Sequence, residues 1–599
     1  MSAARISILD VRPSVDCGRY PAKACVGDAV EVSALVVRDG HEVLRAAVRF
    51  TTPDGTSHEV PLAPVGDDRF GGSFPVDSVG RFAFAVIAWV DRHAGWLAEH
   101  DRKVDAGQDD LTGELAEGEV LFGAGTLAEW RAQAAALAEQ ERHDAVTSDE
   151  RTVDVERTRA REGAWYELFP RSWGGLAGVA AVVPELAELG FDVIYLPPIH
   201  PIGRTNRKGA NNASTAKSGE PGSPWAIGAT EGGHDAVHLE LGTLADLERL
   251  VAVAADHGLE LALDLAVQMS PDHPWLKQHP EWFQRRPDGS LKYAENPPKR
   301  YQDIHNVDWE TTDREGLWEA LRDVTLYWCK AGVRIFRVDN PHTKPLPFWE
   351  WLIAEVRALY PDTVFLSEAF TRPAMMTTLG KVGFSQSYTY FTWKNSKAEL
   401  VELVEQLRSW RDYVRPNLWP NTPDILHAML VGGGRPAFES RLVLAATLSP
   451  SYGIYSGFEA CENTPLREGS EEYLHSEKYE LKERRLVGPL LPLVKKLNEV
   501  RRARPALREG NGVRWLETLD DGLVGYALGA GPDTVLVVVN IDPTARRTGV
   551  CDVPGDLGLP GSFTVRDELS GLNWRWSQGH NYVSLEAGRS HILTILTDR

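Results

Sequence analysis

Apolar and polar residues recur with two different periods along this chain, and the changes of period divide it. Across residues 1–105 the stretches RISILDV, AVEVSALVV, AAVRFTTP and RFAFAVIAWV alternate every second position between clusters of Gly, Asp and Pro. This predicts an N-terminal β-sandwich. Across 106–150 the period lengthens. In GTLAEWRAQAAALAEQE, Leu127, Trp130, Ala134 and Leu137 fall on one face of a helix, so a small helical insert is expected there. The charged segment SDERTVDVERTRARE reads as a linker at the start of a third region, 151–504. Residues 505–599 return to strand patterning in TVLVVVNID and SFTVRDE, which predicts a C-terminal β-sandwich.

The third region alternates strand and helix. AWYELFP, DVIYLPP, LELALDLAV, VRIFRV and TVFLSEA read as strands, with FSQSYTYF, DILHAML and YGIYSG as further candidates. A continuous apolar run such as LELALDLAV suits a strand buried on both faces. Helical patterns lie between the strands. Leu247, Leu250, Val251 and Ala254 line one face, Thr243 and Asp246 suit the helix start, and Gly258 ends it. Leu317, Leu321, Val324 and Trp328 mark another helix, closed by Gly332. Roughly eight βα units over ~300 residues predict a TIM (β/α)8 barrel, so the fold class is α/β with a sandwich at each end. Two long insertions, 198–234 and 268–312, follow strand C-terminal ends, where such barrels build their sites.

Composition narrows the partners. A net charge of −21 at pH 7 argues against nucleic acid and against an anionic membrane surface, since both require clustered Lys and Arg. No stretch reaches the ~20 apolar residues of a bilayer span. The N-terminus MSAARISILDVRPSV lacks the apolar core of a secretory signal. Cys17, Cys25, Cys329, Cys461 and Cys551 are odd in number and have no metal-ligand spacing, which predicts free thiols and a cytoplasmic location. No cofactor or metal is expected. His234 and His238 have H-x-x-x-H spacing, but Asp235 stands where a zinc protease carries Glu, so a structural role is expected for the pair.

Acidic residues at strand ends are poorly placed for packing and well placed for chemistry. Asp264 lies within LALDLAV, Asp339 ends VRIFRVD, Glu368 ends VFLSE, and Asp424 heads DILHAML. Buried carboxylates are costly unless paired. Strand alternation puts Arg337 and Asp339 on one face, and a guanidinium beside a carboxyl keeps it ionised. A lone Asp in an apolar strand, such as Asp264, reads as structural or orienting. Two carboxylates flanking a glycosidic bond are the equipment of glycosyl transfer.

GVRIFRVDNPH, FLSEAF and NTPDILH resemble three short regions of the α-amylase superfamily, in order, and LALDLAVQ resembles a fourth. More closely, FRVDNPHTKP, FLSEAFTRPAMM, SYTYFTW, NTPDILHA, ENPPKRYQDI and ENTPLREGSEEYLHSEKY resemble the α-1,4-glucan:maltose-1-phosphate maltosyltransferases, from about Arg161 to Lys482. The resemblance implies retaining transfer of maltosyl from α-maltose 1-phosphate to the non-reducing end of an α-1,4-glucan or malto-oligosaccharide, in glycogen or α-glucan biosynthesis. It implies Asp339 as nucleophile, Glu368 as general acid/base and Asp424 as stabiliser of the transition state. The two catalytic carboxyls of a retaining enzyme lie ~5–5.5 Å apart. A phosphate leaving group calls for cations and donors, and ENPPKRY supplies Asn296, Lys299 and Tyr301. The resemblance sets Lys299, Tyr301 and Asn340 nearest phosphate, and Lys208, Gln268, Lys478 and Tyr479 against the maltosyl unit. It also implies a homodimer, although the helical insert is shorter than is usual in the family.

Three departures stand out. Where many α-amylase relatives carry Asn-His and a later His, this chain has Gln268-Met269 and Pro423, which speaks against plain starch hydrolysis. Met269 also stands where the maltosyltransferases have a smaller residue. The competing readings are an amylolytic hydrolase or trehalose-forming isomerase, and a non-catalytic glucan-binding relative. The ENPPKRY and SEKY segments argue against the first, and the joint presence of Asp339, Glu368 and Asp424 against the second.

Overall fold

A computed structural model describes residues 5–296, 299–510 and 512–596. The chain forms two compact units, Met1–Arg157 and Thr158–Arg599.

The first unit is built on a nine-stranded sheet. In strand Ala29–Arg38, Val30, Val32, Ala34 and Val36 turn inward at every second position. Two boundaries differ from the sequence reading. Helical structure begins at Arg92, within the stretch read as sandwich, and runs through Arg92–Asp105, Thr112–Phe122 and Leu127–Gln140. Asp91 starts it by accepting from the Ala94 N–H at 2.8 Å, and Trp96 and Leu97 then pack with Phe122, Trp130 and Ala134 in one cluster. Leu127 and Leu137 join the same cluster, as the helical spacing implied. The segment read as a linker contains strand Arg151–Glu156, which pairs with Gly80–Val90 and Ala22–Cys25. Its alternation is hidden by charge: Val153 and Val155 are buried, while Asp154 faces out and pairs with Arg81 at 2.7 Å.

The second unit holds the barrel. Its parallel strands are β1 (Gly163–Glu167), β2 (Val193–Leu196), β3 (Glu260–Leu265), β4 (Ile335–Val338), β5 (Val364–Ser367), β6 (Gln386–Ser387), β7 (Asn417–Leu418) and β8 (Ser451–Tyr455). They run in the order β6-β5-β4-β3-β2-β1-β8-β7, and a parallel bridge between Ser387 and Pro416 joins the two ends. Helix Leu244–Asp256 starts with a capping box between Thr243 and Asp246, as its sequence predicts. The seventh strand is not DILHAML. It is the two-residue β7, and HAML instead opens helix Ala428–Leu448, capped by His427. Both segments are apolar and short, and period alone does not separate them.

The insertions are ordered by pairing. Bridges join Ile202 to Ile227, Met269 to His305 and Phe283 to Val307, and the second insertion contains the hairpin Tyr293–Asn296/Lys299–His305. C-terminal to the barrel, a six-stranded sheet and the ribbon Arg547–Val553/Gly579–Leu585 enclose a core that includes Leu523, Leu536, Val553, Val565 and Leu593. The five cysteines are free thiols. No helix among the described residues is long and apolar enough to cross a membrane.

Candidate active site

Strands β4 and β5 end on the same rung. Val338 is paired with Ser367, so the next residue of each strand, Asp339 and Glu368, leaves the sheet side by side. Backbone bonding extends one step further: Asp339 N–H donates to Leu265 O (3.2 Å) and Glu368 N–H to Val338 O (3.0 Å). The sheet therefore sets both backbones. Arg337, two residues before Asp339 on the same face, then binds three carboxylates. Its Nη1 donates to Asp264 Oδ2 and Asp339 Oδ1, each at 2.8 Å, and its Nη2 pairs with Glu368 Oε1 at 2.8 Å. Arg337, Asp339 and Glu368 are 5%, 6% and 7% exposed, so these contacts work at low dielectric and none is replaceable by water.

The two side chains titrate in opposite directions. Burial alone would raise Asp339, but Arg337, with Lys344 behind it, more than offsets burial and holds the carboxyl below its usual range. Glu368 is raised, first by burial and then by the negative charges of Asp339 and Asp424, against the pull of Arg337. Burial also lifts Asp264 to about 7, although Arg337 opposes it and Tyr195 OH donates to it at 2.6 Å. At neutral pH the geometry thus presents an ionised Asp339 beside a protonated Glu368, a pair suited to a nucleophile and a general acid.

Further groups steady Asp339. Gln268 Nε2 donates to its Oδ2 at 2.8 Å. Asn340 adopts a left-handed conformation, φ 42°, which Asn tolerates better than most residues. That turn brings its N–H to 3.4 Å from Glu368 Oε2 and its side-chain amide to 3.4 Å from Asp339 Oδ2. Lys344 Nζ closes the turn by donating to the carbonyls of Asp339 and Asn340, both at 3.1 Å.

The rim comes from loops. Lys478 Nζ pairs with Asp424 Oδ1 and lies 5.2 Å from the Trp225 ring centre and 5.9 Å from that of Tyr479. Lys208, buried in the first insertion, donates to Arg300 O at 3.3 Å and so ties that insertion to the hairpin of the second. Tyr301 stands opposite Ala294 in the hairpin and acts electrostatically on Lys478. Asn296 and Lys299 pair in the same hairpin, but their side chains lie outside the described residues. His279, Glu281 and Asp313 come close enough to hold an ion. Asp313, however, already caps helix Arg314–Lys330 and accepts from Trp282 Nε1 at 2.9 Å.

The family described as α-1,4-glucan:maltose-1-phosphate maltosyltransferase, domain N/S, matches residues 4–167, and the one described as GLGE, C-terminal, matches 517–595. A maltosyltransferase of Streptomyces coelicolor is 49% identical, covering 98% of this chain and 95% of the relative. One of Mycolicibacterium smegmatis is 44% identical over 99% of this chain and 97% of its own. The chain belongs to the α-1,4-glucan:maltose-1-phosphate maltosyltransferase family. Among solved structures, an α-amylase from Geobacillus thermoleovorans complexed with acarbose matches with TM-score 0.59 at 19% identity, covering 74% of this chain and all (100%) of that one. A cyclomaltodextrinase matches with TM-score 0.55 at 15% identity over 94% of this chain and 97% of its own. These two share the barrel fold.

In this maltosyltransferase-family chain, Arg337 joins Asp264, Asp339 and Glu368 on the floor of the site, and Gln268 and Asn340 gather on Asp339. Asp424, Lys478 and Tyr479 form a second group on the rim, linked to the floor through the Asp424 charge acting on Glu368. Trp419 is stacked on Tyr388 in the barrel core. His234 and His238 do not act together: His234 is paired with His273.

Two floor residues escaped the sequence reading. Glu167 ends β1, is 2% exposed, and is pushed well above the usual carboxyl range by burial and by Asp264, Asp424 and Glu368, with Arg337 opposing. Its signal was present in AWYELFP, an acid closing an apolar strand, just as with Asp264. Lys344 had no such signal, because its partners are backbone carbonyls.

Proposed function

We propose that this protein transfers maltosyl from α-maltose 1-phosphate to the non-reducing end of an α-1,4-glucan, with retention and release of phosphate. Membership of the maltosyltransferase family supports the donor. The Arg337 fork, which holds Asp339 ionised beside a Glu368 that burial keeps protonated on the adjacent strand end, is the observation that carries the chemistry.

Asp339 attacks the anomeric carbon, the bond from C1 to the phosphate oxygen breaks, and Glu368 gives its proton to that oxygen. The product is a β-maltosyl ester on Asp339. The acceptor 4-hydroxyl then attacks C1, its proton passes to Glu368, and the ester bond opens. Arg337 keeps Asp339 anionic for the first step, and the acceptor's proton regenerates the acid form of Glu368, which burial favours, for the next cycle. Gln268 and Asn340 orient the nucleophile. Asp424, steadied by Lys478, stabilises the oxocarbenium-like transition state and holds sugar hydroxyls. Lys208, Lys478 and Tyr479 contact the maltosyl unit. Asn296, Lys299 and Tyr301 on the hairpin, with Asn340, receive the phosphate.

We place this activity in glycogen or α-glucan biosynthesis in the cytoplasm, where free thiols such as the exposed Cys17 persist. A homodimer is proposed as the working form. Exposed Val120 (89%) and Leu115 (43%) on helix Thr112–Phe122 support an apolar contact, which light scattering tests.

The test of function is incubation with α-maltose 1-phosphate and malto-oligosaccharide. Phosphate release with products that grow by two glucosyl units is the expected result. Glucan hydrolysis without phosphate release would replace this reading with the amylolytic one.

A further inference from the structure

The chain turns sharply just beyond β3. Ala266 O accepts from the Gln268 N–H, two residues on, at 3.0 Å, which closes a three-residue turn. The same carbonyl meets His234 Nε2 at 2.8 Å. A carbonyl only accepts, so His234 carries its ring proton on Nε2, and the neutral ring leaves Nδ1 as an acceptor. His273 Nε2 lies 3.0 Å from that Nδ1 and is therefore the donor. His273 Nδ1, left without a proton, accepts the Trp275 N–H at 3.1 Å. The hydrogen bonds run one way, from the Trp275 backbone to Ala266 O, and fix each ring in a single tautomer.

The surroundings are shaped for this arrangement. A Cβ on Gly228 would lie 2.3 Å from His273 Cδ2, and one on Gly233 2.5 Å from His273 Nε2, so both glycines make room for the ring. His234 stacks on Trp275 at 5.9 Å and 18°, and Trp328 Nε1 donates to His234 O at 2.8 Å. Burial keeps both rings neutral, lowering His234 to about 4 and His273 well below the ordinary histidine value. On the other side of the turn, Met269 and His305 exchange backbone bonds of 3.2 and 2.7 Å. Gln268 is held between these two anchors, with its amide on Asp339 Oδ2.

We propose that His234 and His273 are positioning residues: their one-way relay locks the Ala266 turn that delivers the Gln268 amide to Asp339. The inference rests on the reading of Asp339 as nucleophile and of Gln268 as its partner. Arg337 occupies Oδ1 and Gln268 occupies Oδ2, so the rotation of the attacking carboxylate is set from both sides. A shift of about an ångström at such a contact costs on the order of 100-fold in rate.

A double-mutant cycle with purified full-length protein tests this. His273→Leu should lower kcat about 10- to 100-fold, with KM changed by no more than about twofold. His273→Gln, which keeps a donor near the Nε2 position, should recover most of that loss. Added to Gln268→Ala, His273→Leu should cost nothing further. If the two losses multiply instead, the histidines do not act through Gln268 and the inference fails. Should Gln268→Ala alone leave kcat unchanged, the reading of Gln268 falls and the relay has nothing to position. If His273→Leu does not fold, ring 15N shifts of the wild-type protein decide. Both rings should show the neutral Nε2–H tautomer from about pH 5 to 8, and a ring titrating near its ordinary value of about 6.5 would overturn the relay.

Discussion

Asp339 and Glu368 stand on neighbouring barrel strands and share one guanidinium, whereas Asp424 and Lys478 reach the same site from separate loops. On the floor, sheet register fixes the backbones, and Arg337 then fixes three carboxylates at 2.8 Å each. On the rim, contacts are pairwise and partly open: the Asp424 side chain is 42% exposed and that of Lys478 17%. Charge pairs of the first kind resist substitution because each lost partner strands a buried ion. Pairs of the second kind exchange partly with water and contribute less. The floor is thus suited to charge that must be the same in every cycle, and the rim to recognising what arrives. Substitutions on the floor should move kcat, and those on the rim should move KM.

The largest effect belongs to the nucleophile. Asp339→Ala should lower kcat by about four or more orders of magnitude, since water does not replace covalent attack. Rates measured with α-maltosyl fluoride, whose leaving group asks little of Glu368, check this. Turnover within about tenfold of wild type would remove Asp339 from the mechanism.

Arg337 comes next, and it connects the floor to pH. The productive form needs Asp339 ionised and Glu368 protonated. Activity should therefore fall as pH drops through the depressed Asp339 value, and fall again as pH rises through the elevated Glu368 value, which gives a bell. Arg337 opposes burial at both residues, so Arg337→Met should move both limbs to higher pH. It should also destabilise the fold by about 3–5 kcal/mol, because buried carboxylates lose their partner. The kcat/KM profile with α-maltose 1-phosphate, whose leaving group needs the Glu368 proton, and a urea melt read these two effects separately. An acid limb that stays in place in Arg337→Met would show that another group holds Asp339 ionised.

The same contrast explains what could be read from the residues alone. Barrel strands announce themselves as apolar runs, and an acid at the end of one stands out, as Asp339 and Glu368 did. Pairing of Arg337 with Asp339 followed from two-residue alternation. The grip of Arg337 on Asp264 and Glu368 did not, because it depends on register between strands. The expected seventh strand failed for a related reason. The real one, Asn417–Leu418, is two residues long, too short for a period to show. Strand Arg151–Glu156 was masked by Arg and Asp on its open face. The helices from Arg92 were absorbed into the strand region because a continuous β-rich stretch leads directly into them. The loop residues Lys208 and Lys478 were singled out through family resemblance, since a lone Lys in a loop carries no periodic signal. The His234–His273 relay lies in the least legible class: its partners sit on two different insertions, and the only local hint is the glycine run before His234.

The smallest of these effects lies on the rim and sharpens the comparison most. Lys478 pairs with Asp424, and the partial exposure of both leaves water able to take over much of the contact. Lys478→Gln keeps a donor of similar length but removes the charge. With the charge gone, Asp424 loses its electrostatic anchor, while the Arg337 contacts with Asp339 and Glu368 remain intact. KM for α-maltose 1-phosphate should rise about three- to tenfold, with kcat within about twofold of wild type. The pH profile should hardly move, because Arg337 rather than Lys478 offsets burial at Asp339 and Glu368. Initial rates across donor concentration at several pH values measure all three. A fall in kcat of about tenfold or more at saturating donor would place Lys478 with the floor, and the division between a charge-setting floor and a recognising rim would fail at that residue.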